Sequence, residues 1–181
     1  NTVRFGGHPL EAVDAPGLRI VGQKPARVQE FDDKWITNEL LRAHGCAVPA
    51  AVLVGLRPGP EVLLLDELTT AALEQRKLSL PLVVKPVRGR GSEGVTVVHT
   101  LAELGEAARR LLSATLVVGE LPAPKYGDRV ILEQYLPGTE LTVTVMPPGM
   151  YALPEGEQVF AHHWCLPPVR RFDQREGVAP Y

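Results

Sequence analysis

The stretch VVKPVRGRGSEGVTVV, residues 83–98, decides how the chain is interpreted. Both of its ends are runs of β-branched residues, which are typical of strands, and they flank a short loop rich in glycine and arginine. Lys85 lies inside the first run, and strand alternation puts it on the same face as Val83 and Val87. An ammonium group on such an apolar face is costly unless an anion pairs with it. We therefore expect a β-hairpin whose lysine meets a bound anion or a nearby carboxylate.

The loop of this hairpin satisfies the pattern G-x-G-x-x-G with Gly89, Gly91 and Gly94, a pattern found in several kinds of nucleotide site. A dinucleotide-binding motif requires a helix directly after it, whereas the strand-like residues 95–99 follow here. A Walker loop ends in Gly-Lys-Ser/Thr, and a protein-kinase loop is followed, not preceded, by its phosphate lysine. Two interpretations remain open. The first is a flap whose amides bind phosphates, and the second is an ordinary glycine-rich hairpin with a lysine reaching water.

Composition limits the class of protein. The chain has 181 residues, of which 45% are hydrophobic, so it is long and apolar enough for one large or two small globular domains. The formal net charge of −2 gives no reason to expect nucleic acid or an acidic membrane as a partner. No apolar run reaches membrane-spanning length. Cys46 and Cys165 are far apart and form no CxxC motif, which favours a reducing, cytoplasmic location.

The periodicity of the chain predicts an α+β fold, with the element order β, α, β, β, α, β, β from Ala50 onward. Residues 1–30 are broken by Pro and Gly, with one strand-like stretch, and residues 116–128 and those after Pro147 look irregular. The predicted elements are a strand at Leu18–Val21, a helix between Asp33 and Gly45, a strand at Ala50–Val54, a helix at Asp66–Lys77, paired strands at Leu82–Val87 and Val95–His99, a helix capped by Thr100 and Glu103 that runs through Leu112, and paired strands at Val130–Leu136 and Glu140–Met146.

Two glutamates mark a second stretch, ILEQYLPGTELTVTVM, residues 131–146. Glu133 lies among mostly apolar strand residues, and Glu140 follows just past the turn at Pro137-Gly138. A carboxylate can accept two hydrogen bonds from a ribose diol, and a strand end offers backbone groups to the edge of an adenine ring. Each glutamate alone is more often a solvated strand residue. Their occurrence together after a lysine-bearing glycine hairpin favours a nucleotide site.

With these stretches in place, the chain resembles the ATP-grasp superfamily, and within it the D-alanine–D-alanine ligase-like branch. The matching pieces cover about residues 31–146 in the order of the family: Asp33-Lys34 at the start of a helix that ends in HGCAVP, VVKPVRGRGSEGV, the helix from Thr100, and ILEQYLPGTELTV. The resemblance implies an ATP-grasp fold in which two sheet-containing lobes enclose the nucleotide. It divides the chain into an upstream remnant and linker (1–30), the small lobe (31–128) and the start of the large lobe (129–181), whose C-terminal part is expected to be absent.

The resemblance also implies which residues bind ATP. The phosphate contacts would come from Lys34, Lys85, Gly89, Gly91, Ser92 and Gly94, the adenine contacts from Glu133, Gln134 and Leu136 (the last two mainly through backbone), and the ribose contact from Glu140. Lys85 and Arg171 are the implied catalytic residues, with Arg171 or its neighbour Arg170 on the terminal phosphate. The ligase loop normally reads Glu-Gly-Ser-Ser-x-Gly, so the run Arg88–Arg90 makes this loop more basic.

The implied activity is ATP-dependent ligation of a carboxylate and an amine through an acyl phosphate, on an amino acid or a small peptide. ATP and Mg²⁺ are the implied cofactors, and a homodimer is an expected assembly. The magnesium ligands, an acidic residue and then Glu-x-Asn, are expected beyond residue 181, because no Asn follows Asn38. His162 and His163 are adjacent, so in a strand they point to opposite faces and predict no metal site. A nucleotide-binding module without ligase activity and a kinase-like phosphotransferase remain as alternatives.

Overall fold

The computed structural model describes residues 28, 30–89, 91–118 and 121–171, and the chain divides into two compact units, Asn1–Leu136 and Pro137–Tyr181. The predicted upstream remnant, with its strand at Leu18–Val21, lies outside the described residues except for Val28 and Glu30. The lobe boundaries 31–128 and 129–181 stay a prediction. In the described part of the chain, no helix is both long and apolar enough to cross a membrane.

The first unit is built around a five-stranded sheet. Across this sheet the strands follow the order β2 (Val62–Leu64), β1 (Ala51–Gly55), β7 (Arg129–Gln134), β3 (Leu82–Pro86) and β4 (Thr96–Val98). Strands β1 and β2 are parallel, and the other three pairings are antiparallel. A separate hairpin joins β5 to β6. The elements are α1 (Lys34–Ala43), β1 (Ala51–Gly55), β2 (Val62–Leu64), a 3-10 turn (Leu65–Glu67), α2 (Thr70–Glu74), β3 (Leu82–Pro86), β4 (Thr96–Val98), α3 (Leu101–Ser113), β5 (Thr115–Val118), β6 (Leu121–Pro124) and β7 (Arg129–Gln134).

The hydrophobic core lies between one face of this sheet and α3. Alternate strand residues and the apolar stripe of α3 are buried together: Val52, Val54, Leu82, Val84, Val98, Val130 and Leu132 from the strands, and Leu104, Ala108, Leu111 and Leu112 from the helix. Because strand side chains alternate, the intervening residues Leu53, Lys85, Ile131 and Glu133 point to the opposite face. The apolar pattern therefore sets the polar residues of β3 and β7 on a face that the core does not use.

The termini of the helices follow their sequence signals. Asp33 caps α1, its Oδ1 accepting a hydrogen bond from the Ile36 N–H at 3.0 Å. At the other end Gly45 has φ +76°, and the N–H groups of Gly45 and Cys46 donate to the carbonyls of Arg42 and Leu41, which is a Schellman motif. The predicted start and stop of α1 are confirmed.

The capping box predicted for α3 is present with one change of partner. Thr100 Oγ1 accepts from the Glu103 N–H at 3.2 Å. The Glu103 carboxylate accepts from the N–H of His99, at 2.7 Å, which lies one residue before the cap. This backbone hydrogen bond from His99 lowers the pKa of Glu103.

The second unit consists of short antiparallel pairs. The strands are β8 (Leu141–Thr142), β9 (Val145–Met146), β10 (Gly149–Leu153), β11 (Gly156–Phe160), β12 (Trp164–Cys165) and β13 (Val169–Arg170). Strand β10 pairs with β11, β9 with β12, and β8 with β13. An aromatic cluster stabilises this unit: Phe160 stacks on Trp164 with ring centroids 4.2 Å apart, and Tyr151 packs edge-on against both.

Four expectations from the sequence are wrong. Strand β7 does not form a hairpin with residues 140–146, because β1 and β3 occupy its two edges while β8 and β9 pair with later strands. Residues 116–128, expected to be irregular, contribute most of the β5–β6 hairpin. The region after Pro147 contains the β10–β11 hairpin. In addition, the helix predicted at Asp66–Lys77 is reduced to a 3-10 turn and the five-residue α2.

The interior of α3 offers a test of how the helix packs. Gly105 is a buried helical glycine, and an added Cβ would meet only the mobile end of the Arg109 side chain, at 3.4 Å. We expect Gly105→Ala to raise the free energy of unfolding by about 0.5–1 kcal/mol, because alanine restricts the unfolded chain. Urea unfolding followed by circular dichroism measures this change.

The matched control is Gly94→Ala, the same substitution at a constrained position. Gly94 has φ +75°, and its Cβ would lie 2.9 Å from Leu111 Cδ2. This variant is expected to lose stability. A loss of stability in Gly105→Ala as well would show that α3 lies closer to its neighbours than described.

Candidate functional site

The central feature of the site is an ion pair between neighbouring strands. Lys85 Nζ on β3 donates to Glu133 Oε1 on β7 at 2.6 Å, and both side chains are mostly buried, at 17% and 13% exposure. In the register of the two strands Lys85 lies opposite Ile131, and Glu133 lies opposite Val83, so the pair spans the strands diagonally. The carboxylate expected near Lys85 is therefore Glu133.

The second oxygen of Glu133 contacts a residue that the sequence analysis did not single out. Asn38 Nδ2, on α1, donates to Glu133 Oε2 at 3.2 Å. Asn38 follows Lys34 by one helical turn, so both residues lie on the same face of α1. The spacing Lys-x-x-x-Asn was the signal in the sequence that could have identified it. Each carboxylate oxygen of Glu133 thus has its own donor.

The glycine loop has the backbone conformation that its sequence requires. Gly89, Gly91, Ser92 and Gly94 all have positive φ, at +136°, +65°, +56° and +75°. Backbone N–H groups in turn conformations can form concave anion-binding sites. Lys34 Nζ donates to the carbonyl of Gly89 at 2.8 Å, which brings the first predicted phosphate lysine to the loop.

The backbone of α1 is tied to the same end of β3. The Lys34 N–H donates to the carbonyl of Val87 at 3.0 Å. Nearby, Arg88 Nε lies 3.5 Å from Oδ2 of Asp33, the capping residue of α1. A cavity of about 300 Å³ opens at this end of the sheet. Its lining includes Asp33, Trp35, Leu53, Arg88, Tyr126 and Arg129.

The tip of the glycine loop is held by an exposed polar cluster, which we call the loop latch and define as Glu93, Lys125 and Tyr126. Glu93 Oε1 accepts from Lys125 Nζ at 2.5 Å and from the Tyr126 hydroxyl at 3.1 Å. The hydrogen bond from Lys125, followed by that from Tyr126, lowers the pKa of the Glu93 carboxyl. The same bond raises the pKa of Lys125.

The residues predicted to line the adenine have distinct environments. Gln134 ends β7 on the core face, and its side chain bonds the Ser79 N–H at 3.2 Å and the Pro81 carbonyl at 3.4 Å. Its own N–H donates to the Ala50 carbonyl, so this backbone donor is already engaged. Leu136 is 66% exposed. Their contact with adenine stays a prediction.

The two predicted site residues of the second unit contact each other. Arg171 Nη1 donates to Glu140 Oε1 at 2.7 Å, and the Arg171 N–H donates to the Glu140 carbonyl at 2.9 Å. The Arg171 guanidinium and the Glu140 carboxylate thus form an ion pair with each other. The predicted roles of Glu140 on ribose and Arg171 on phosphate stay predictions.

A resident magnesium ion finds no ready site in the described part of the chain. Within residues 28, 30–89, 91–118 and 121–171, no group of three or more His, Cys, Asp or Glu side chains could hold a metal ion. Cys46 and Cys165 are both free thiols. The two lysines and the loop amides are donors of the kind that suit a phosphate anion.

Comparison with known proteins identifies the fold. Residues 78–163 match the family model of the ATP-grasp domain. The phosphoribosylamine–glycine ligase of Xanthomonas axonopodis pv. citri is 31% identical over 145 residues, which are 80% of this chain and 30% of that protein. The D-alanine–D-alanine ligase of Gloeobacter violaceus is 27% identical over 132 residues, or 71% of this chain and 37% of that protein. The chain thus spans about a third of the length of these curated relatives.

A solved structure agrees with these matches. The L-amino acid ligase from Bacillus licheniformis aligns with a TM-score of 0.50 and 21% sequence identity, covering 94% of this chain and 32% of that one. The α+β, ATP-grasp fold predicted from the sequence is confirmed, as is the similarity to D-alanine–D-alanine ligases.

The loop latch should respond to acid. Because the folded-state pKa of Glu93 lies below its ordinary value of 4.5, the latch stabilises the loop above that value and is lost as the pH falls through the lowered pKa. Amide NMR signals of Gly91, Ser92 and Gly94 should therefore shift with a midpoint below 4.5. In Glu93→Gln the transition should vanish, and amide exchange in the loop should be faster at neutral pH.

Glu106→Gln, on the exposed face of α3, is the matched control and should leave the loop signals unchanged. Equal loop exchange in Glu93→Gln and the unmodified protein would contradict the latch.

Proposed function

We propose that this protein is an ATP-dependent carboxylate–amine ligase, because residues 78–163 match the family model of the ATP-grasp domain. In the proposed reaction the substrate carboxylate attacks the terminal phosphorus of ATP, which releases ADP and leaves an acyl phosphate. The amine then attacks the acyl carbon, and phosphate departs as the amide bond forms. The protein needs to position the reactants and offset charge on the phosphates, and it needs no nucleophile of its own.

One observation carries the proposal: a continuous set of contacts that joins two lysines to the glycine loop. Lys34 reaches Gly89, and Lys85 reaches Glu133. Asn38 on the helix of Lys34 completes the set by contacting the same Glu133. Two ammonium groups beside the amides of a positive-φ loop are a donor set suited to phosphate oxygens. Lys85 is 17% exposed and paired with Glu133, so it is not a lysine that reaches water.

The roles of the individual residues follow the expected order of the nucleotide. We propose that Lys34, Lys85, Ser92 and the glycines of the loop bind the phosphates. Glu133, Gln134 and Leu136 bind the adenine, Glu140 binds the ribose, and Arg171 contacts the terminal phosphate. Mg²⁺, when bound with ATP, supplies charge neutralisation on the transferred phosphoryl group.

The substrates are proposed from the names of the relatives. One similar protein is a phosphoribosylamine–glycine ligase, another a D-alanine–D-alanine ligase, and the similar solved structure is an L-amino acid ligase. Each of these names includes an amino acid. We therefore propose an amino acid or a small peptide as a substrate, in the cytoplasm, with a homodimer as the assembly.

The nucleotide site predicts a specific pattern of affinities. Lys85→Ala and Lys34→Ala should each weaken ATP binding by about 1.5–3 kcal/mol, the usual contribution of a charged hydrogen bond. Isothermal titration calorimetry with a non-hydrolysable ATP analogue measures the loss. Lys77→Ala, which removes an exposed cation of the same unit, is the control and should bind normally. Unchanged affinity in both site variants, with the fold intact, would contradict the nucleotide site.

The products distinguish ligation from the alternatives. With ATP, Mg²⁺ and a panel of amino acids, the proposed ligase should form ADP, phosphate and an amide in equal amounts. A kinase-like phosphotransferase would leave phosphate on its substrate, and a binding module would leave ATP unchanged. Mass spectrometry of the products, with phosphate release measured in parallel, decides among the three. Binding of ATP without any amide from the panel would contradict the proposed substrate class.

A further inference from the structure

We infer that Asn38 is a positioning residue of the nucleotide site, which fixes the Glu133 carboxylate and, through it, the ammonium group of Lys85. The inference rests on the proposed function only for its effect on nucleotide binding. The positioning itself is a property of the protein without nucleotide. Asn38 is not among the site residues predicted from the sequence.

Both carboxylate oxygens of Glu133 accept a hydrogen bond. A carboxylate with a donor on one oxygen can still turn about its last side-chain bond, whereas donors on both oxygens hold its plane. Lys85 bonds Oε1 at 2.6 Å and Asn38 bonds Oε2 at 3.2 Å. Lys85 has a long side chain with four rotatable bonds, so the direction of its ammonium group depends on where its acceptor is held.

Polar contacts help to attach α1 to the sheet, and none of the residues of α1 is fully buried. Two of those contacts come from residues one turn apart: Lys34 reaches Gly89, and Asn38 reaches Glu133. The helix therefore connects the glycine loop to the ion pair, and Asn38 is the link to the ion pair.

The side-chain amide of Asn38 carries no charge. An asparagine donates a hydrogen bond without adding charge, so the negative charge of Glu133 stays available to Lys85. A lysine at position 38 would compete with Lys85 for the carboxylate. An aspartate at position 38 would place two carboxylates side by side, which is unfavourable when both are ionised. A neutral donor is the side chain that orients Glu133 without altering the charge balance of the site.

Side-chain NMR of the lysine ammonium groups tests the positioning directly. In the protein without nucleotide, the ¹⁵N signal of the Lys85 ammonium should shift or broaden in Asn38→Leu and Asn38→Asp. The Lys125 signal should stay unchanged, because its partner Glu93 lies in the loop latch. Glu39→Leu, at a half-exposed position of the same helix, controls for general effects on α1 and should leave Lys85 unchanged. Thermal unfolding verifies that each variant is folded.

Nucleotide affinity provides the second readout. Asn38→Leu should weaken binding of a non-hydrolysable ATP analogue about 10-fold, the lower end of the range for a hydrogen bond to a charged group, with Asn38→Asp weaker still. In a Lys85→Ala background, Asn38→Leu should have little further effect, because the group that it positions is gone. A merely structural role would give the same loss in both backgrounds.

The outcomes separate the inference from the proposed function. An unchanged Lys85 signal in a folded Asn38→Leu variant overturns the inference, whatever the affinity. Equal losses of affinity with and without Lys85 also overturn it. A shifted Lys85 signal in a protein that binds no nucleotide supports the positioning and overturns the proposed function instead.

Discussion

The ammonium group of Lys85 lies on a sheet face where Ile131, opposite it on β7, and Leu53, opposite Ile131 on β1, are almost completely buried. Its charge has to be compensated there. Glu133 compensates it at 2.6 Å. A slip of one residue between β3 and β7 would turn Lys85 into the core beside α3, so the charge and the apolar pattern both specify the same register. Removal of either partner would leave a mostly buried charge alone, which is costlier than the pair is stabilising.

The two faces of the sheet therefore have different physical roles. On the core face, α3 packs against the strands through apolar residues that leave little freedom. On the opposite face, α1 is held by Lys34 and Asn38 through hydrogen bonds, without a fully buried residue of its own. A helix attached in this way can adjust to a ligand without opening a cavity in the core. The face that packs on α3 holds the strands in place, and the face beside α1 carries the candidate site.

The ion pairs of the first unit also differ in strength. The pair Lys85–Glu133 is largely shielded from water, so its attraction is weakly screened. The pair Lys125–Glu93 is exposed, and exposed pairs contribute little free energy. The loop latch should therefore break at a low cost in free energy, whereas the pair Lys85–Glu133 stays in place. This contrast suits a site in which a fixed lysine receives the phosphates and a glycine loop opens and closes over them.

Local features were determined by the sequence itself: the β3–β4 hairpin, the caps at Asp33 and Thr100, and the positive-φ glycines. These depend on the preferences of residues a few positions apart. Only the tertiary structure decided that β7 pairs with β1 and β3, that Glu133 is the partner of Lys85, and that Asn38 completes the site. Many strands share the same alternation of apolar and polar residues, so this pattern alone cannot determine which strands pair. The pairing is determined by the core that the strands share with α3. It brings Glu133 to Lys85, 48 positions away, and to Asn38, 95 positions away.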